Sequence, residues 1–234
     1  MPHQFLNLEE LARHLARDRR EVEKLVQRGR IPGHKVEGEW RFHPAEITHW
    51  LEVELRGYNE SELTALEVSQ RARAPDEISV RTLLRPDTVE VALDARTKRS
   101  AVEGVIEVAG RSWHVWEPAA ILDAVLVREE VLSTAFENGV AIPHPRTPLP
   151  AALGESLIAF ARVQSGIAFG GPKRSLTDVF FLVLARDSRT HLLALARLGR
   201  LLQQPGFLDG LRAAPNNPAA YEWICNADRE LSKG

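Results

Sequence analysis

The octapeptide Gly139-Val140-Ala141-Ile142-Pro143-His144-Pro145-Arg146 holds the residue whose neighbours best equip it for chemistry. Three apolar residues form a short strand pattern that stops at Pro143. Proline fixes its own φ and has no N–H to donate, so neither a sheet ladder nor a helix interior continues through Pro143 and Pro145. His144 is therefore expected on a stiff corner at the mouth of a strand, where partners reach a side chain. With an ordinary pKa of about 6.5, its imidazole is a neutral nucleophile at cytosolic pH. Alone, the octapeptide fits an ordinary turn histidine equally well. Arg128 and His191 supply context. Arg128 lies on a helical run, Pro118 to Glu130, that feeds the octapeptide; Glu129 and Glu130 beside it are candidate salt partners. His191 opens a later helix directly after the apolar run Val179–Ala185. A guanidinium fork matches phosphate oxygens. A histidine at a helix start donates to an anion within a favourable dipole.

These three segments, "LVREEVLST", "GVAIPHPR" and "RTHLLALARLGRLL", occur in an order and spacing that resembles the enzyme IIA domains of the mannitol, fructose and nitrogen-regulatory class of the bacterial phosphotransferase system. The resemblance covers roughly Ser79 to Ala214. It implies that His144 accepts a phosphoryl group through Nε2, with Arg128 and His191 around that group. It also implies a histidine-containing phosphocarrier protein as donor, no cofactor, and a transferase-type carrier without turnover of its own. Ser133 and Thr134 are further candidates for hydroxyl contacts. Pro145 stands where many relatives have glycine, and Phe136 and Glu137 where many have small residues and a second glycine. The carboxylate of Glu137 is expected to add negative charge near the phosphate.

The elements that position these residues alternate. Ile78–Leu84 opens the region and Thr88–Leu93 reads as a strand. Lys98–Val108 and Pro118–Val127 have helical apolar spacing, and Val140–Ile142 and Glu155–Val163 read as strands. "DVFFLVLA", Asp178–Ala185, is nearly all apolar, as in a central strand covered on both faces. Helices are expected at Thr190–Leu202 and about Pro205–Ala213. This alternation predicts an α/β fold, a layered mixed sheet with helices on both faces. The glycines and Lys173 of "AFGGPKRS" lack the spacing of a phosphate-cradling loop and read as a turn. In the tail 215–234, Tyr221, Trp223 and Ile224 suit a short docked helix, and Cys225 suits a small buried filler.

Residues 1–56 carry a separate pattern. Leu8, Leu11, Ala12 and Leu15 have the helix period, with Asn7 and Glu10 placed as a capping box. Arg19–Arg28 is a second helix with Val22, Leu25 and Val26 on one face and Gly29 as its stop. Ile31–Val36 and Glu39–His43 read as strands around Glu37-Gly38. A third helix spans about Pro44–Leu55, burying Ile47, Trp50, Leu51 and Leu55. Helix, turn, helix, hairpin and helix make a small winged helix-turn-helix, and "RGRIPGHKV" and "EWRFHPAEITHWL" resemble the excisionase/MerR-like family. That resemblance implies DNA contacts from Arg19, Arg20 and Lys24 in a groove and from Lys35 and Arg41 on the backbone. Ten Lys/Arg against ten Asp/Glu in residues 1–56 leave no net charge. Since DNA affinity rests largely on clustered cations, a protein-docking role stays open beside DNA binding. Two half-sites would call for a homodimer. Residues 57–78 read as a linker, with a weak helical pattern at Ser61–Arg71 before the proline-broken "RARAPDE".

The 234 residues suit one large or two small domains, and a net charge of −2 gives no general push toward nucleic acid. No apolar run approaches the ~20 residues of a membrane span, and the N-terminus lacks a secretory pattern, so a cytoplasmic protein is expected. A single cysteine rules out an internal disulfide framework. His3, His14, His34, His43, His49 and His114 show no metal-ligand spacing, so no metal is expected. Three functions compete: a phosphohistidine regulator controlling the fused winged helix, a carrier passing phosphate to a sugar permease component, and a non-catalytic adaptor with a vestigial histidine. The fused helix-turn-helix favours the first over the second, and the intact trio disfavours the third.

Overall fold

The computed structural model of the chain describes residues 5–15, 17–71 and 78–232. Two compact units separate, one taking in Met1–Glu77 with Leu195–Arg200, the other Ile78–Ala194 with Leu201–Gly234.

In the first unit, α1 (Leu8–Leu15), α2 (Arg19–Gln27), β1 (His34–Val36), β2 (Glu39–Arg41) and α3 (Pro44–Glu54) follow in the order expected of a winged helix. Asn7 and Glu10 exchange backbone bonds at 2.8 and 2.9 Å, forming the anticipated capping box. Asp18 caps α2 by accepting from the N–H groups of Arg20 and Glu21. Glu37 and Gly38 both have positive φ (52° and 88°), the two-residue hairpin turn whose twist suits antiparallel strands. The strands are shorter than expected because Phe42 leaves the hairpin and pairs with Leu6 instead. Leu11, Val22, Val26, Phe42, Ile47 and Leu51 form the core, while Leu25 and Trp50, at the edges of their apolar stripes, are only half-buried. The expected weak helix after the wing is α4, Glu60–Arg71; the rest of the anticipated linker, 72–77, lies outside the described residues.

The second unit runs α5 (Val80–Leu83), β3 (Leu84–Glu90), α6 (Lys98–Gly110), α7 (Pro118–Val131), β4 (Val140–Ala141), β5 (Leu157–Ile167), β6 (Thr177–Leu184), α8 (Ser188–Gln203, apart from its stretch Leu195–Arg200), α9 (Phe207–Ala213) and α10 (Asn217–Leu231). Its sheet has the order β3-β5-β6-β4, with β5 and β6 antiparallel and both edge pairings parallel. Strand β6 is buried along nearly its whole length and β5 over residues 157–161, so both faces are covered there. One face, with Ala159, Ala161, Phe180 and Leu182, packs with α6 and α7. On the other, Arg162 donates to the Leu211 and Arg212 carbonyls at the end of α9. The mixed sheet with helices on both faces is thus the fold anticipated.

Two stretches differ from expectation. The strand placed at Thr88–Leu93 begins at Leu84 and bulges where the Thr88 hydroxyl bonds both ways with Arg85. The tail is a fifteen-residue helix, not a short one. Asn216 caps it, Asn217 accepts from the Val91 N–H, and buried Asp228 accepts from the Arg81 N–H.

Candidate phosphoryl site and winged-helix face

The His144 corner is built by two strand pairings. Pro143 cannot donate to a ladder, but its carbonyl accepts from the Val183 N–H of β6 at 3.0 Å. On the other side, Thr134–Phe136 runs antiparallel to Val140–Ile142, with Phe136 N–H donating to the Val140 carbonyl at 2.7 Å and a bridge between Ala135 and Ala141. The turn between these arms uses Gly139 at φ 85°, where a Cβ would stand 2.7 Å from Arg212 Nη2 and 2.8 Å from Asp178 Oδ1. Arg212 of α9 grips Asp178 through two bonds of 2.7 Å and donates a third to the Asn138 carbonyl. The corner is therefore fixed on three sides before any chemistry is considered.

The Nδ1 of His144 lies 2.7 Å from the Ile142 carbonyl oxygen. A carbonyl only accepts, so Nδ1 carries the proton and Nε2 the lone pair. No local pattern of residues names this orienting carbonyl. The His191 ring packs edge-on against His144, centroids 5.0 Å apart. His191 sits in the first turn of α8, whose cap is Asp187; that carboxylate accepts from the Thr190 N–H and hydroxyl at 2.8 and 2.7 Å. Arg128 lies in the last turn of α7 and donates from Nη1 to the Leu132 carbonyl at 2.7 Å. The three side chains do not lie open at the surface, as the proline-framed corner suggested: His144, His191 and Arg128 are 4%, 3% and 2% exposed.

Neighbouring residues resolve in ways sequence could not show. Glu129 does not serve Arg128; it accepts from Lys98 at 3.3 Å and from the Thr134 N–H and hydroxyl. The Ser133 hydroxyl donates to the Phe169 carbonyl at 3.2 Å. Neither hydroxyl is therefore held out for a phosphoryl oxygen. Glu137 pairs with Lys173 at 2.7 Å on the surface, so its charge is compensated. The "AFGGPKRS" stretch is a turn, as expected, with a single 3-10 turn at Pro172–Arg174. Cys225 is buried, and burial pushes its thiol pKa up, away from reactivity.

On the winged helix, the five cations proposed for DNA fall into two classes. Arg41 pairs with Glu39 at 2.8 Å, and Arg19 stands 3.8 Å from Glu9. Lys35 lies over the Trp40 ring, 5.2 Å from its centroid. Arg20 and Lys24, one turn apart on α2, are exposed, with no side-chain ion pair among the described residues. Arg19 and Arg41 share a depression with Glu9, Glu23 and Glu39, so that part of the face is of mixed charge. Among the described residues no helix is long and apolar enough to cross a membrane.

Residues 82–227, more than half of the chain, match the model of the family described as "Phosphoenolpyruvate-dependent sugar phosphotransferase system, EIIA 2". Residues 5–52 match that of a helix-turn-helix domain. A nitrogen regulatory protein of Bradyrhizobium diazoefficiens is 32% identical over 143 residues, covering 59% of this chain and 90% of that protein. The fructose-specific EIIABC component of the phosphotransferase system of Bacillus subtilis is 26% identical over 154 residues, or 65% of this chain. The match spans only 24% of that longer relative. The crystal structure of nitrogen regulatory protein IIA-Ntr from Neisseria meningitidis has a TM-score of 0.56 at 20% identity, covering 62% of this chain and 98% of that one. The shared fold follows from that likeness.

Proposed function

We propose, from the premise that this chain belongs to the EIIA 2 family of the phosphoenolpyruvate-dependent sugar phosphotransferase system, that it is a phosphohistidine regulator. His144 accepts a phosphoryl group from a histidine-containing phosphocarrier protein, and the charge state of that site controls the winged helix. The observation that carries the reading is the 2.7 Å bond from Nδ1 of His144 to the Ile142 carbonyl. It leaves the lone pair on Nε2, the atom that must attack. A new N–P bond forms at Nε2 as the N–P bond of the donor breaks, and the leaving pair returns to the donor ring. Arg128 supplies fixed positive charge for the phosphoryl oxygens, and His191 supplies a ring N–H within the field of the α8 N-terminus. Because all three are buried, transfer requires that they become accessible to the donor.

The winged helix is the output in this reading. Arg20 and Lys24 meet the DNA phosphates first, with Lys35, Arg19 and Arg41 contributing once their partners yield, and a homodimer reads two half-sites. Phosphorylation adds about two negative charges. A module with no net charge binds DNA marginally, so that addition is enough to weaken it. The resemblance to nitrogen regulatory proteins and the fused helix-turn-helix support a regulator over a sugar-transport carrier.

The test is incubation with a phosphocarrier, its upstream transferase and phosphoenolpyruvate, read by intact mass and by DNA titration. One acid-labile phosphoryl group is expected, lost in His144→Ala, together with weaker DNA binding by the phosphorylated form. Label that persists in His144→Ala overturns the site. Equal DNA affinity for both forms overturns the control.

A further inference from the structure

We infer that Glu129 is a positioning residue of the phosphoryl site, acting through Thr134 on both Arg128 and His144; this rests on the phosphohistidine reading of the same site. Glu129 occupies an unfavourable place for a carboxylate. Its side chain is 1% exposed, and it lies in the last turn of α7, where the helix dipole disfavours an anion. Its neighbour Arg128 does not neutralise it, since adjacent helix residues project about 100° apart. Such a group persists only where several donors converge on it, and three do. The Lys98 ammonium approaches at 3.3 Å, the Thr134 N–H at 2.9 Å, and the Thr134 hydroxyl closer still.

What those bonds hold in place is the junction from which both halves of the site depart. Helix α7 breaks at Leu132, which adopts an extended conformation (φ −161°, ψ 123°). The Leu132 carbonyl is the one that Arg128 Nη1 grips at 2.7 Å. Two residues on, Thr134 is tied back to Glu129, so the whole 129–134 turn closes on itself and fixes where the Arg128 fork ends. The Thr134 carbonyl then accepts from the Ile142 N–H at 3.4 Å, and the Ile142 carbonyl accepts from Nδ1 of His144 at 2.7 Å. A continuous run of bonds thus joins Glu129 to the ring of the nucleophile: Glu129 to Thr134, Thr134 to Ile142, Ile142 to His144. Lys98 closes the far side. Its ammonium also rests 4.9 Å from the centre of the Phe169 ring, which keeps the charge beside Glu129.

The roles separate in the full-length protein by single-turnover transfer from phosphocarrier, together with the NMR signal of the His144 Nδ1 proton. Thr134→Val keeps shape and removes the hydroxyl. It should slow transfer about tenfold to a hundredfold, as expected when reacting groups are displaced by a fraction of an ångström to an ångström, with the KM for phosphocarrier unchanged. Thr134→Ser should restore the rate. Glu129→Gln should slow transfer about tenfold, and both slow variants should move the His144 proton signal while Thr134→Ser leaves it in place. Wild-type rates and an unmoved signal in Thr134→Val overturn the inference, as does Thr134→Ser as slow as Thr134→Val. A loss confined to thermal stability, with rate and signal intact, makes Glu129 a fold residue and also overturns it. If the wild-type protein takes no phosphoryl group on His144, it is the phosphohistidine reading that has failed, and the His144 proton signal alone then decides the positioning role.

Discussion

The two units treat their charged residues in opposite ways. In the second, Arg128, His144 and His191 are buried and tied to backbone or to each other, and the turn at Gly139 that leads to the His144 corner is gripped by Arg212 and Asp178. In the first, the candidate DNA-contacting residues lie at the surface, and two of five face carboxylates. A buried polar group must have defined partners, so its geometry is dictated by the fold. A surface cation keeps its freedom, and an exposed ion pair contributes at most about 1 kcal/mol. Family resemblance therefore carries over a buried site more securely than a binding face. On the winged helix, Arg19 and Arg41 are matched by carboxylates of this chain's own.

The largest effect belongs to the buried site. Arg128→Ala should slow phosphoryl transfer by roughly 10³ in rapid-quench measurements, since a fixed charge at the phosphoryl group is worth about 10³–10⁵ where it has been removed. His191→Ala should slow it less and leave the label on His144. Wild-type rates in either variant would return that residue to a structural role. Effects on the first unit should be smaller and graded by pairing. Arg20→Ala and Lys24→Ala should each lower DNA affinity and reduce the slope of log affinity against log salt by about 1. Arg41→Ala, already offset by Glu39, should change both by less. If all three behave alike, the ion pairs seen on this face do not shape its binding. If no form binds DNA at any salt concentration, the winged helix docks protein instead.

Much of the fold was legible because it rests on local rules. The Asn7–Glu10 box needs residues three apart, and the Glu37-Gly38 turn needs two residues between strands; both are visible in a string of letters. The apolar run of β6 announced a strand covered on both faces. The site was legible as a set of residue types and not as a set of partners. Nothing local says that Glu129 turns from Arg128 to Lys98, thirty-one positions away, or that Lys173 compensates Glu137 across thirty-six. The bulge at Arg85–Thr88 was hidden for a related reason: a side-chain hydroxyl competing with the ladder leaves no periodicity to read. The burial of His144 is not legible because its two flanking prolines suggest an exposed corner, and its contacts with the Ile142 carbonyl and with His191 leave no local pattern.

The Ile142 carbonyl holds His144 with its proton on Nδ1 and its lone pair on Nε2. The direct measurement is a long-range ¹H–¹⁵N spectrum of the His144 ring before and after incubation with the phosphocarrier and phosphoenolpyruvate. Expected are a protonated Nδ1 in the free protein and, afterwards, a phosphoryl group on Nε2 with the Nδ1 proton retained. A phosphoryl group on Nδ1, or on any residue other than His144, would contradict it.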